Sequence, residues 1–194
     1  RMANADVLPF EFSRLTERLS VYTEEVEKLA DTMRKETETR NKAIGLGMYR
    51  VAADPRETWI DPPLEEVGPH LNFAPLHNAL AAVKASVADY EATRAAATAE
   101  GRAAGAGLDR ALYLTERALT DTDGLPGRPW FVHYIYAPGF YTGYGVKTLP
   151  AVREAIEQRE WKDVDERIET TAAVLDRFAA AVDRATALLE GVRR

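Results

Sequence analysis

The chain of 194 residues has no cysteine. That excludes a disulfide framework, a thiolate nucleophile and any zinc site built on cysteine. It also leaves the compartment unmarked. No apolar run approaches the ~20 residues that a membrane-spanning helix needs, and no signal-peptide pattern is visible. An excess of positive charge is lacking too. Lys and Arg number 25 against 31 Asp and Glu, for a net charge of −6 and a pI near 5.2. A nucleic-acid surface wants a basic stripe, so nucleic acid is not an expected partner. Histidine is scarce, with His70, His77 and His133 the three present. A proline and a predicted helix start separate His70 from His77, and no HExxH occurs. No GxSxG is present, and Ser13, Ser20 and Ser86 lie in helical segments with no histidine nearby in sequence. Lys147-Thr148 follows Val146, which does not complete a phosphate loop. No metal site, no cofactor and no catalysis are expected of this chain alone.

What is present is helix. Hydrophobic content is 46% and charged content 29%, the composition of a globular domain with a sizeable core. Phe12, Leu15, Leu19, Tyr22, Val26, Leu29 and Met33 recur at spacings of three and four, one stripe on one helix face. Leu76, Leu80, Val83, Val87 and Tyr90 form a second seam, opened by Asn72 as a capping residue and Pro75 in the first turn. Leu108, Leu112, Thr115 and Leu119 form a third, with Leu114 widening it. Leu149, Val152 and Ile156 form a short fourth, with Thr148 as its expected cap. Trp161, Val164, Ile168, Thr171, Leu175, Phe178, Val182, Ala185 and Leu189 form the last and clearest. The seams predict helices over 13–42, 75–100, 108–119, 149–159 and 161–190. Gly101, Gly105 and Gly107 predict a break between about 100 and 107. No strand is expected. The fold class is all-α, with long seamed helices packing as an antiparallel, four-helix-bundle-like array. The first and last seams are regular enough for coiled-coil-like packing. Each belongs either to the internal core or to a partner surface.

Two stretches lose the helical period. Residues 48–72 carry Pro55, Pro62, Pro63 and Pro69, with Tyr49 and Trp59 as expected anchors. A connection of this length inside a compact domain is uncommon. Gly124–Pro150 is the other. It holds four of the ten prolines and four of the eight tyrosines, with Trp130, Phe131, Tyr134, Tyr136, Phe140, Tyr141 and Tyr144 in close succession. Proline removes a donor and glycine adds backbone freedom, so long regular structure is forbidden. A solvated linker would not carry this many aromatics. The expectation is an ordered loop, pinned on a helical scaffold. It either holds function or plugs one end of the bundle.

The string Leu119–Pro138 resembles the C-terminal helical domain of the transferrin receptor and glutamate carboxypeptidase II family. The matching elements are Gly124-Leu125-Pro126, Arg128-Pro129 followed by aromatics, His133, and Ile135-Tyr136-Ala137-Pro138. Met2–Phe12 is similar to the junction where the family's peptidase domain ends, and Leu114–Leu119 and the final helix follow in the expected order. Arg1 precedes Met2, which also fits a piece of something longer. The resemblance implies a lead-in over 1–11 from an upstream peptidase-like domain and a helical dimerisation domain over 12–194. It implies a homodimer, contact with the upstream domain of the same chain, and no catalysis by this piece. The zinc it implies belongs to that upstream domain. In the family, the loop after Tyr-Ala-Pro closes over the substrate pocket, where a Lys-Tyr pair helps bind the carboxylate of a C-terminal glutamate. Counting from Tyr136, the pair's positions are Gly143 and Tyr144. The tyrosine matches, and glycine stands in place of lysine, so glutamate preference does not carry over. Lys147 is nearby. Three readings follow: a dimerisation and pocket-closing domain of a zinc carboxypeptidase-like protein; the same domain in a receptor-like or scaffolding protein without an active peptidase; or an unrelated helical protein with its own self-contained pocket.

Overall fold

The computed structural model describes residues 9–51, 53–54, 56, 58–101 and 106–190. Six α-helices account for most of it. They are α1 (Ser13–Gly45), α2 (Met48–Val51), α3 (Ala74–Ala99), α4 (Ala106–Leu114), α5 (Pro150–Glu157) and α6 (Trp161–Glu190). A 3-10 turn over Thr115–Leu119 continues α4. One element departs from the all-helical expectation. Tyr136–Pro138 (β1) and Val146–Thr148 (β2) pair as a short antiparallel hairpin, Tyr136 opposite Thr148 and Pro138 opposite Val146. Three-residue strands are too short to leave a periodic signal, and Pro138, which cannot donate to a ladder, closes the first.

The centre of the molecule is α6. All nine residues of its seam are buried, and Ala172, Val174, Ala179 and Thr186 widen the stripe. A face this broad is packed on more than one side, here against α3, α5, α4 and the 3-10 turn. The α3 seam is buried over its whole length. Leu108, Leu112, Thr115 and Leu119 also share one buried face, although the backbone tightens to 3-10 at Thr115.

Several helix ends are fixed from a distance. No side chain next to the start of α1 caps it. Glu91 of α3 instead accepts the Phe12 and Ser13 N–H groups at 3.2 and 3.0 Å, a negative charge at the positive end of the helix dipole. Asn72 does bond the start of α3, accepting the Ala74 N–H at 3.1 Å. Thr148 does not cap α5. Leu149 takes that position in the left-handed region (φ 47°), and the Thr148 hydroxyl accepts from Arg153 at 2.8 Å. α3 ends at Ala99 and α4 opens at Ala106, as the glycines predict; residues 102–105 of that break lie outside the described residues. So do residues 1–8 of the lead-in.

Candidate functional site

The aromatic stretch is ordered by its own backbone. The Asp121, Leu125 and Tyr134 N–H groups donate to the carbonyls of Val132 (2.8 Å), Phe131 (2.7 Å) and Leu119 (3.0 Å). These bonds tie residues 119–134 into a folded-back loop. Gly124 makes the tight approach possible. Its φ is +70°, and a Cβ there would lie 2.2 Å from the Pro129 carbonyl oxygen. The Tyr134 ring is buried beneath it, its hydroxyl donating to the Gly124 carbonyl at 3.1 Å.

A buried ion pair joins this loop to the hairpin and to α5. Arg128, only 2% exposed, meets Glu154 at 2.7 Å. It also donates to the Pro138 carbonyl at the end of β1. Its guanidinium lies 5.3 and 5.8 Å from the ring centroids of Phe131 and Phe140. The second Glu154 oxygen accepts the Phe140 N–H at 2.8 Å. One carboxylate thus holds the residue that opens the hairpin loop and the cation that fixes the strand before it. Burying either charge alone would cost several kcal/mol; here each lies in the other's field, and the guanidinium also lies within cation–π reach of two rings. The family resemblance contains Arg128, but Glu154 lies 26 positions away on a helix rich in other polar residues, and no local pattern links the two.

Beyond this clamp the hairpin projects. The Gly139 N–H donates to the Gly145 carbonyl at 2.7 Å and the Gly143 N–H to the Gly139 carbonyl at 3.0 Å. Gly143 sits at φ +64° with nothing within 4 Å of a Cβ there. Tyr144 is fully exposed (101%) and Tyr141 nearly so, with Val146 beside them and Phe140 half out. Among the described residues Tyr144 packs on nothing. Lys147 does not reach for the tip: its ammonium binds both oxygens of Glu157, at 2.7 and 2.8 Å. A cleft beside the hairpin is lined by Phe140, Tyr141, Glu154 and Arg167 among others. Gln158 and Glu160 also line it, and both Glu154 oxygens are already committed. Among the described residues no three His, Cys, Asp or Glu side chains gather where they could hold a metal ion.

A second surface stands out on the other irregular stretch. The connection after α1 is strapped down by polar contacts. Asn41 and Glu65 exchange two hydrogen bonds at 2.7 and 3.1 Å, and the Glu65 carboxylate bridges Arg40 and Arg159 at 2.8 and 2.9 Å. Gly68 lies under the Trp161 ring, where a Cβ would approach within 2.8 Å. Tyr49 does not anchor it, being exposed. Trp59 is half-buried, and its indole N–H donates to Asp61 at 2.6 Å. Leu46, Met48, Val51, Ile60 and Leu64 are all more than half exposed. The neighbouring helix is only partly covered as well. On α1, Leu19 and Val26 are buried, but Leu15, Tyr22, Leu29 and Met33 of the same seam are half-buried. Exposed apolar groups at this density mark interaction sites.

Residues 71–183 match the family model of the transferrin receptor-like dimerisation domain, which takes in α3, the aromatic stretch, the hairpin, α5 and most of α6. A relative from Arabidopsis thaliana, named probable glutamate carboxypeptidase LAMP1, is 38% identical over 84 residues; that stretch is 43% of this chain and 12% of the plant protein. No helix among the described residues is long and apolar enough to cross a membrane. More than half of the chain lies within the family match, and the chain belongs to the transferrin receptor-like dimerisation domain family.

Proposed function

We propose that this domain pairs two copies of a glutamate carboxypeptidase-like protein and closes the substrate pocket of an adjoining peptidase domain with its hairpin tip. The observation that carries the first part is the exposed apolar run Leu46, Met48, Val51, Ile60 and Leu64, held against a half-covered α1. A symmetric dimer places the same patch on both copies. In this reading the long helices form an antiparallel, four-helix-like bundle, and α1 is its outer member. The zinc of such a peptidase is held outside this chain. The name of the plant relative supports a carboxypeptidase-like protein over a receptor-like one with no active peptidase.

The second part rests on the hairpin. A tip built to pack would bury its rings, but Tyr141 and Tyr144 stand in solvent above a clamped base. Tyr144 is the residue we assign to the pocket, its hydroxyl free to donate or accept a hydrogen bond with bound substrate, and Gly143 supplies the turn that presents it. The test is Tyr144→Phe in a protein carrying this domain beside its peptidase. The expected result is weaker substrate handling by about 0.5–1.5 kcal/mol, the worth of one neutral hydrogen bond, with the stability of this chain unchanged. Unaltered kinetics with a clear loss of stability would assign Tyr144 to packing instead.

A further inference from the structure

His133 stands at the root of the hairpin and belongs to none of the contacts above. The backbone N–H of Ile135 donates to its Nδ1 at 3.2 Å. Its ring stacks on Tyr136, the first residue of β1, with centroids 4.2 Å apart and planes 30° from parallel. Its backbone bridges to Thr120. Ile135 is in turn the acceptor for the Leu149 N–H at 2.8 Å, the residue that follows β2. One imidazole nitrogen therefore binds the N–H of the residue whose carbonyl holds the far end of the hairpin. A nitrogen that accepts carries no proton, so the neutral ring has its proton on Nε2, which is buried without a partner among the described residues.

We propose that His133 is a proton-sensitive latch: the neutral imidazole holds the hairpin root closed, and the imidazolium releases it. Protonation converts Nδ1 from acceptor to donor. The Ile135 N–H then faces another N–H, and a cation sits in a partly buried site. The charges around the ring do not restore the lost bond. Glu116, from the 3-10 turn, is the carboxylate that favours the cation, and it accepts a hydrogen bond from the Tyr136 hydroxyl at 3.2 Å. Asp121 and Arg177, the next charges along, pair with each other at 2.9 Å. Burial wins over Glu116 and holds the His133 pKa below its ordinary 6.5. An opened hairpin takes up the proton first. The closed state is therefore fully favoured above about pH 6.5 and loses ground as pH falls toward the lowered folded-state value. The latch stands whether or not Tyr144 meets a substrate.

The experiment is amide hydrogen exchange, followed residue by residue by NMR on the 194-residue chain. It is done in a His70→Gln, His77→Gln background, since both of those side chains are exposed. After correction for intrinsic exchange, protection of the Ile135 and Leu149 amides is expected to fall about tenfold per pH unit below about pH 6.5, until folded His133 itself titrates. His133→Asn, whose side-chain oxygen can accept but does not titrate, is expected to flatten that slope. An equal slope in His133→Asn overturns the proposal. Should that variant fail to fold, the imidazole nitrogen shifts of His133 decide. An unprotonated Nδ1 and a titration below 6.5 that tracks loss of Ile135 protection support the latch. A proton on Nδ1, a titration at 6.5 or above, or protection that ignores the titration sinks it.

Discussion

α1 and α6 read alike in the sequence and sit differently in the fold. Both carry a long seam with alternating spacings of three and four, and both have charged outer faces. On α6 every seam residue is buried and four more join it. On α1 only alternate seam residues are, and the rest of the stripe is half covered. The spacing of apolar residues says which face of a helix wants to leave water, but not how much neighbour is available to cover it. α6 has neighbours on several sides. α1 packs on α3 and α5, and over its 33 residues runs about 50 Å at 1.5 Å per residue, leaving surface for something outside the chain.

The largest expected effect lies on α6. Phe178 is 1% exposed and stacks edge-on against Phe12, centroids 5.7 Å apart. Phe178→Ala is expected to cost about 3–5 kcal/mol in denaturant unfolding, transfer and cavity together. A cost near that of an exposed residue would mean that α6 is not central. Arg128→Met comes next, at about 3 kcal/mol, because it leaves Glu154 buried without its cation. Glu154→Gln, which keeps an acceptor for the Phe140 N–H, should cost less. If both are neutral, the hairpin is held by its aromatics and not by the ion pair.

On α1 the contrast sharpens. Leu29→Ala is expected to cost about 1 kcal/mol or less in the monomer, while Leu19→Ala, fully buried on the same seam, should cost at least about 2. Equal costs would erase the difference between α1 and α6. Tyr144→Phe is the smallest, within about 0.5 kcal/mol for folding, as for surface changes generally.

Long seams were legible because they repeat. The helix limits expected over 13–42, 75–100 and 161–190 stand as Ser13–Gly45, Ala74–Ala99 and Trp161–Glu190. Where the period is lost, so was the detail. The hairpin escaped because its strands are three residues long. The Arg128–Glu154 clamp escaped because it pairs one of 25 basic with one of 31 acidic residues, and only the fold selects which. An aromatic in a loop suggests an anchor because aromatics usually bury area, yet Tyr49 is exposed and Trp59 only half-buried. A carboxylate between two arginines and a glycine beneath a tryptophan ring also hold the connection. At the hairpin tip the glycines mark the turns, and Gly143 and Tyr144 stand exposed on a projecting loop; their role at a pocket is the proposal above.

The account turns on the apolar surface of α1 and its connection, and sedimentation equilibrium tests it most directly. The chain is compared with a Val51→Ser, Ile60→Ser, Leu64→Ser variant from about 1 μM to about 1 mM, a range reaching even a weak association of about −4 kcal/mol. All three side chains are more than half exposed, so at a concentration where both are monomeric the variant's unfolding midpoint should match that of the parent. The expected result is a monomer–dimer equilibrium in the parent that the triple variant moves to monomer. A parent that stays monomeric throughout, or a dimer indifferent to the three serines, would contradict it.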